Sequence, residues 1–223
     1  GELLKILINT MNGFIKWIAS LGYVIQDIPF TLLLNILLYS ALAFLVLWLY
    51  KKSFTRMVLL LVAFITFQFA AISTHYNVAK NKELIVFNSY KGTIVTIKNH
   101  DTVTIFSNDS TAINSQAIKA YSKGNFNPTV TQKPLNNTVW FKGKKILILD
   151  SLYNYSTNMQ PNILLLTQSP KLNLERVIAQ LKPKVIIADA TNYKSYTERW
   201  KATCKKEKIL FHTTAEKGFY KIK

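Results

Sequence analysis

The stretch that decides the fold is FTLLLNILLYSALAFLVLWLY (Phe30–Tyr50), the short turn KKSFTR (Lys51–Arg56) and MVLLLVAFITFQFAAIS (Met57–Ser73). Neither apolar run contains a charged residue. At about 1.5 Å per residue the first run, 21 residues long, reaches across a hydrocarbon core of roughly 30 Å. The second, at 17 residues, sits at the lower limit. A backbone in lipid must satisfy its own hydrogen bonds, which makes both runs helices and the short turn the bend of an antiparallel hairpin. The competing reading is a soluble hairpin buried on all sides, a setting in which uncharged runs of this length are uncommon. A cleaved signal peptide fits less well still, because the runs are too long and come as a pair. Basic residues near membrane ends are retained in the cytoplasm, so Lys51, Lys52 and Arg56 place the turn there. Everything after Ser73 is then expected on the opposite side of the membrane.

Before the hairpin, Leu3, Leu4, Leu7, Met11, Phe14, Ile15, Ile18 and Leu21 recur with a helical period, and Lys5, Asn9, Asn12, Lys16 and Ser20 fall on the other face. This pattern predicts an amphipathic helix at the membrane interface or against further transmembrane helices, with Trp17 as an interfacial anchor. The chain opens with Gly1, which reads as a piece of a longer protein. Three regions follow: an interfacial helix over residues 1–27, a transmembrane hairpin over 28–76, and a soluble domain over 77–223.

The soluble region has the length of one domain. Of the 28 Lys and Arg residues in the chain five precede Asn77, leaving 23; of 11 acidic residues two precede it, leaving nine, so the region carries a net charge of +14. So strong an excess fits a polyanion or an anionic membrane surface. A solvated lysine-rich surface is the plain alternative. The single cysteine, Cys204, excludes an internal disulfide and is expected in a helix core. His75, His100 and His212 are far apart and belong to no zinc-binding spacing.

Short β-branched and aromatic runs predict strands at Glu83–Asn88, Thr93–Lys98 and Thr102–Ser107 in an antiparallel meander. A helix is expected over Thr111–Tyr121, then a Gly, Asn and Pro-rich loop ending near Asn137. Two strands, Thr138–Lys142 and Lys144–Asp150, turn at Gly143. Beyond a loop at Asn154–Pro161 the pattern alternates: strand Asn162–Thr167, helix Asn173–Leu181, strand Lys184–Asp189, helix Tyr193–Lys206, then strands Ile209–His212 and Gly218–Ile222. The fold class is a membrane α-helical hairpin followed by a mixed-sheet α/β domain.

The run PNILLLTQSPKLNLERVIAQLKPKVIIADATNYKSYTERWKATCKKEKILFHTTAEKGFYKI (Pro161–Ile222) resembles the end of the ComEC family of competence proteins, inner-membrane channels for DNA uptake in natural transformation. The form resembled is the short one associated with Bacteroidetes. The resemblance is specific over these last residues and looser over Ile15–Asn108. It implies a multi-pass protein whose transmembrane helices precede a metallo-β-lactamase-like domain on the outer, periplasmic side. It also implies a departure. Where the family has FDVGQGDS this chain has Phe87, Asn88, Ser89, Tyr90, Lys91, Gly92 and Thr93, and the metal-binding HxHxDH segment has no counterpart. HHGS is replaced by Leu166, Thr167, Gln168 and Ser169, and a later histidine loop by Asn192, Tyr193, Lys194, Ser195 and Tyr196. Asp109, Asp150 and Asp189 remain, and three carboxylates without histidines would not hold a hydrolytic metal pair. The resemblance therefore implies a reduced fold with no metal and no cofactor.

No other catalytic set takes its place. Ser169, His212 and Asp189 can be named as a trio, but no nucleophile elbow supports them. What remains is basic and aromatic: Lys142, Lys144 and Lys145 at one hairpin, and Lys194, Arg199, Lys201, Lys205 and Lys206 on one helix, where they could contact DNA phosphates by charge. On that helix Tyr193, Tyr196, Trp200 and Cys204 form a stripe expected to face the core. The function expected is a non-catalytic module holding incoming DNA at the outer mouth of the channel. Its partners would be DNA, the lipid membrane and the remaining channel helices, with a homodimer left open. A nuclease acting on the non-transported strand, and a structural cap with a lipid-facing basic surface, are the alternatives.

Overall fold

The computed structural model describes residues 2–20, 31–152 and 159–222. Gly1, Leu21, Phe30, the border between residues 27 and 28, and residues 154–158 of the expected loop lie outside the described residues. Helix α1 (Glu2–Ser20) follows the amphipathic pattern, with Leu4, Met11, Phe14, Ile15 and Trp17 exposed. Helix α2 (Leu32–Tyr50) starts where the Thr31 hydroxyl accepts a hydrogen bond from the Leu34 N–H. Helix α3 (Phe54–Lys80) begins three residues before the apolar run and continues seven beyond it. The turn is thus Lys51–Ser53, shorter than Lys51–Arg56. Arg56 lies inside α3 and donates to the Leu47 carbonyl at 2.8 Å, placing a cation at the negative end of α2. Both helices are long and apolar enough to cross a membrane, and most of their large side chains are exposed.

Among the described residues ten strands form two five-stranded sheets. The first has the order β10 (Tyr220–Ile222), β1 (Glu83–Val86), β2 (Ile94–Asn99), β3 (Thr102–Ser107), β4 (Thr129–Pro134); the second is β5 (Thr138–Phe141), β6 (Lys144–Leu149), β7 (Ile163–Leu166), β8 (Val185–Ala188), β9 (Leu210–Thr213). β1–β3 make the expected antiparallel meander, whereas β6 through β9 are parallel. Leu84, Val86 and Val95 meet Phe141, Ile146, Ile148, Leu165 and Ile187 between the sheets. The outer face of the first sheet, Ile85, Ile94, Val103 and Ile105, is covered by Ile118 of α4 (Gln116–Gly124). That of the second, with Leu147, Leu149, Leu164, Leu166 and Ile186, is covered by α5 (Leu174–Leu181) and α6 (Lys194–Lys206). The domain is therefore four layers, α/β/β/α. Buried on both faces, β6–β8 read as near-continuous apolar runs.

The β5–β6 turn is a tight hairpin with Lys142 and Gly143 both at positive φ (47° and 74°), the combination that a primed turn requires. Three expectations change. The segment taken as loop up to Asn137 contains β4, parallel to β3. The helix expected over Thr111–Tyr121 is a 3-10 turn (Ala112–Asn114) followed by α4, divided at Ser115, which caps α4 through its hydroxyl. A one-turn helix, α7 (Thr214–Lys217), precedes β10.

Helix α3 joins this domain without a break, running on through Tyr76 and Asn77, where the domain border was expected. The join is polar and buried. Lys98, 1% exposed, donates to the Val78 carbonyl at 2.7 Å and to Asn125 Oδ1 at 2.6 Å. Glu83 accepts from the Tyr121 hydroxyl at 2.7 Å and pairs with Lys221. Burial alone would raise the Glu83 carboxyl, but the Lys221 and Tyr121 hydrogen bonds, with the charges of Lys221 and Lys98, hold it below the ordinary value. Its stabilising effect is thus present above the unfolded carboxylate value and lost as pH falls through the lower folded value. Replacing Lys98 with Met should leave Asn125 Oδ1 without this donor and the Val78 carbonyl with only the Asn81 N–H, and cost about 1–3 kcal/mol. The check is chemical unfolding with amide exchange at residues 76–82, which should speed up; wild-type stability and exchange would contradict this role of Lys98.

Candidate functional site

The direction of the strands separates two ends of the domain. Glu83 follows α3, Ile222 pairs with Leu84, and Lys144, Asn162 and Lys184 share a cleft with Tyr220 and Ile222. The starts of β6, β7 and β8 therefore lie at the α3 end. From Lys184 to Asp189 the chain travels about 17 Å at 3.3 Å per residue, so Asp150, Thr167 and Asp189 emerge at the far edge. There Thr167 and Asp189 meet Thr93, which precedes β2 and in turn bonds Ser107 and Asn108 at the end of β3.

Asp189, 1% exposed, is the centre of this far edge. One carboxylate oxygen accepts from the Thr93 hydroxyl at 2.6 Å. The other accepts from the Thr191 hydroxyl (2.6 Å), the Thr191 N–H (3.1 Å) and the Asn192 amide (3.0 Å). Thr167 hydrogen-bonds both Thr93 and Thr191. The network joins the two sheets, since Thr93 belongs to the first and Asp189 to the second. It also fixes a strained turn: Gln168 and Ser169 both have positive φ (57° and 51°), which costs a non-glycine residue roughly 1–2 kcal/mol. Their N–H groups are held by Thr191 Oγ1 (2.8 Å) and Asn192 Oδ1 (2.7 Å). Gly92 is required nearby, because a Cβ there would lie 2.8 Å from Asn108 Oδ1, the acceptor of the Thr93 N–H. Burial raises the Asp189 carboxyl above its ordinary value, against the hydrogen bonds from Thr191, Thr93 and Thr167.

These residues do not fit a metal pair. Both Asp189 oxygens are occupied by protein donors, and its neighbours are hydroxyls and amides, weak ligands for a hydrolytic metal. Asp109 accepts from Thr111 and Asp150 from the Leu152 N–H. Among the described residues no three metal-ligating side chains converge. The Ser169, His212 and Asp189 trio is not assembled either. Ser169 Oγ accepts from the Tyr193 N–H, and His212 contacts the Gly218 carbonyl and the Tyr220 ring.

The expected basic residues fall into two groups on opposite edges of the second sheet. The first is the β5–β6 hairpin, where Lys142 and Lys144 are exposed, Lys145 is half-buried and its ammonium lies 5.1 Å from the Trp140 ring centroid. The hairpin tip stands beside the end of α3, in a cleft with Lys80, Lys82 and Lys221. None of these three was singled out in the sequence, nor was Lys98. The second group lies along α6. Lys201 pairs with Glu216 at 2.9 Å and Lys206 with Glu175 at 3.1 Å, while Lys194 is 3.9 Å from Glu198. Arg199 stacks on Tyr196 at 5.0 Å, and Lys205 is exposed without an ion pair among the described residues. Trp200 and Cys204 are buried as expected, and burial pushes the Cys204 thiol up to about 12. Tyr193 departs from that stripe: it is 71% exposed, because the chain enters α6 there. A groove of about 500 Å³ beside α6 is lined by Lys171, Asn173, Tyr196, Arg199 and Thr203.

A four-layer α/β domain continuous with a long apolar hairpin, carrying two basic surfaces and a hydroxyl-filled edge, is the class that these observations define. Residues 84–223 match the ComEC C-terminal domain, and the chain belongs to that family. Membership associates it with competence, DNA uptake and the inner membrane. Comparison with curated proteins and with solved structures finds no match.

The Asp189 network has a pH signature. A carboxyl raised on folding makes stability decline as pH climbs from the ordinary Asp value of about 4 towards the higher folded value. Asp189→Asn should lack this decline, because its amide does not ionise, so its stability relative to the wild type should rise as pH climbs through this range. Denaturation midpoints of both proteins across the acid range test this; parallel profiles would contradict it.

Proposed function

We propose that this chain is the C-terminal module of a competence DNA-uptake channel, anchored by α2 and α3 in the inner membrane. In this reading its domain is periplasmic, non-catalytic, and holds incoming DNA by charge near the outer mouth of the pore. The observation that carries it is α6. From Lys194 to Lys208 the chain has six basic side chains against two acidic ones, and the Arg199–Tyr196 stack borders an open groove. Such a surface contacts phosphates without reading sequence. Lys194, Arg199 and Lys205 are the principal contacts, because Lys201 and Lys206 are held at 2.9 and 3.1 Å by Glu216 and Glu175, whereas Lys194 is only loosely paired with Glu198 at 3.9 Å. The four layers and the strand-end position of Asp189 support a metallo-β-lactamase-like fold in which hydroxyls and amides stand where ligands would be needed. The occupied Asp189 oxygens favour this non-catalytic reading over a nuclease.

Binding of DNA by the full chain in detergent should fall with salt at a log–log slope of roughly −0.7 to −0.9 per neutralised phosphate, with little dependence on sequence. Lys194→Glu with Lys205→Glu should weaken it for all sequences alike and make the slope shallower, while folding stability changes by under about 0.5 kcal/mol for each exposed position. Wild-type affinity in this variant would overturn the assignment to α6. Incubated with zinc or manganese, the protein should retain less than one equivalent of metal and leave DNA intact. Stoichiometric metal, with cleavage abolished by Asp189→Asn, would establish the nuclease instead.

A further inference from the structure

At the foot of α3, a cleft of about 630 Å³ is lined by Lys80, Lys82, Lys142 and Lys221 with Asn77 and Asn81. Glu83 also lines the cleft, but it is buried and bound to Lys221 and Tyr121, so it neutralises at most one of the four lysines. Asp101 lines a separate, mainly apolar cleft on α3, with Ala71, Ile72 and Tyr76. Lys144 and Lys184 extend the positive charge along the starts of β6 and β8.

The height of this cleft follows from the length of α3. Its 27 residues span about 40 Å, whereas a hydrocarbon core is roughly 30 Å thick. In the antiparallel hairpin the start of α2 at Leu32 lies level with about Ile72, which sets the upper edge of the core near Ser73 to Tyr76. Lys80 is four residues beyond Tyr76, about 6 Å further along the helix. A headgroup layer is roughly 5–8 Å thick on each side, so Lys80 and the cleft fall at headgroup level. Trp140, 62% exposed on the neighbouring β5–β6 hairpin, is the residue type favoured at that depth.

We propose that this cleft binds the phosphate of an anionic phospholipid. The domain is thereby seated on the bilayer by Lys80, Lys82 and Lys142, leaving α6 on the opposite edge of the second sheet for DNA. Juxtamembrane lysines attract anionic headgroups strongly at this range, and the adjacent apolar cleft, which shares Lys80, gives an acyl chain a path along α3. The inference rests on the reading of α2 and α3 as a membrane hairpin.

The test uses the full chain in phosphatidylcholine bilayers with trace spin-labelled phosphatidylglycerol or spin-labelled phosphatidylcholine, and reads the motionally restricted fraction of each. The wild type should select phosphatidylglycerol several-fold, and added salt should reduce that preference. Lys82→Gln with Lys142→Gln should bring the ratio close to one. Lys82→Arg with Lys142→Arg should preserve it, as should Lys194→Gln with Lys205→Gln. A wild-type ratio in the Lys82/Lys142 glutamine pair would overturn the proposal, and loss of duplex DNA binding in that same variant would assign the cleft to DNA. Absence of any restricted lipid, phosphatidylcholine included, would overturn the hairpin reading and the proposal with it, a result distinct from unselective restriction.

Discussion

The buried ammonium of Lys98 is the contact on which the arrangement of the molecule depends. It lies on the face of β2 that looks towards α4, at the end nearest α3, and its two acceptors come from α3 (Val78) and from the residue capping α4 (Asn125). A lysine with so little access to water must keep its donors satisfied or lose its charge, and burial does lower its affinity for the proton. Satisfying it forces the last turn of α3 against the first sheet. Because the helix is continuous from Phe54 to Lys80, a constraint on its end is a constraint on the whole hairpin.

The two ends of the domain follow from that constraint. Strands starting beside α3 place Lys142, Lys144, Lys184 and Lys221 near the base and carry Asp189 to the far edge. At the base the charge is unbalanced and open, as suits a surface facing phosphate. At the far edge the Asp189 carboxylate is satisfied by protein donors, and Thr93, Thr167, Thr191 and Asn192 use it as a joint between the sheets. A fully satisfied network of that kind rigidifies the joint. In the reading proposed above, the strand-end network serves structure and the external charge serves DNA.

Much of this was legible in the residues. The apolar runs of α2 and α3, the β-branched strands, and the alternation after Pro161 carry period and composition signals strong enough to override ambiguity. What escaped did so for physical reasons. β4 (TVTQKP) is a polar, half-exposed edge strand ending in Pro134, and it is held by parallel pairing to a strand more than twenty residues earlier. Lys98 reads as an ordinary strand end, because no local pattern reveals that its face is covered by a helix that precedes it by twenty residues. The pairing of Lys201 with Glu216 and of Lys206 with Glu175 joins residues 15 and 31 apart in the chain, so a count of lysines on α6 overstated its free charge. The threonines around Asp189 are chemically silent in sequence and acquire meaning only when three loops converge.

The central claim is that one hairpin fixes a basic domain on the outer face of the membrane, and site-directed labelling tests it most directly. Cys204 is buried, so the native chain supplies a quiet background for single cysteines placed at Ser53 in the hairpin turn and at Asn127 between α4 and β4. With a membrane-impermeant thiol reagent on intact spheroplasts, Asn127→Cys should react and Ser53→Cys should react only after the membrane is permeabilised. Labelling of Ser53→Cys with protection of Asn127→Cys would place the domain in the cytoplasm and contradict the account.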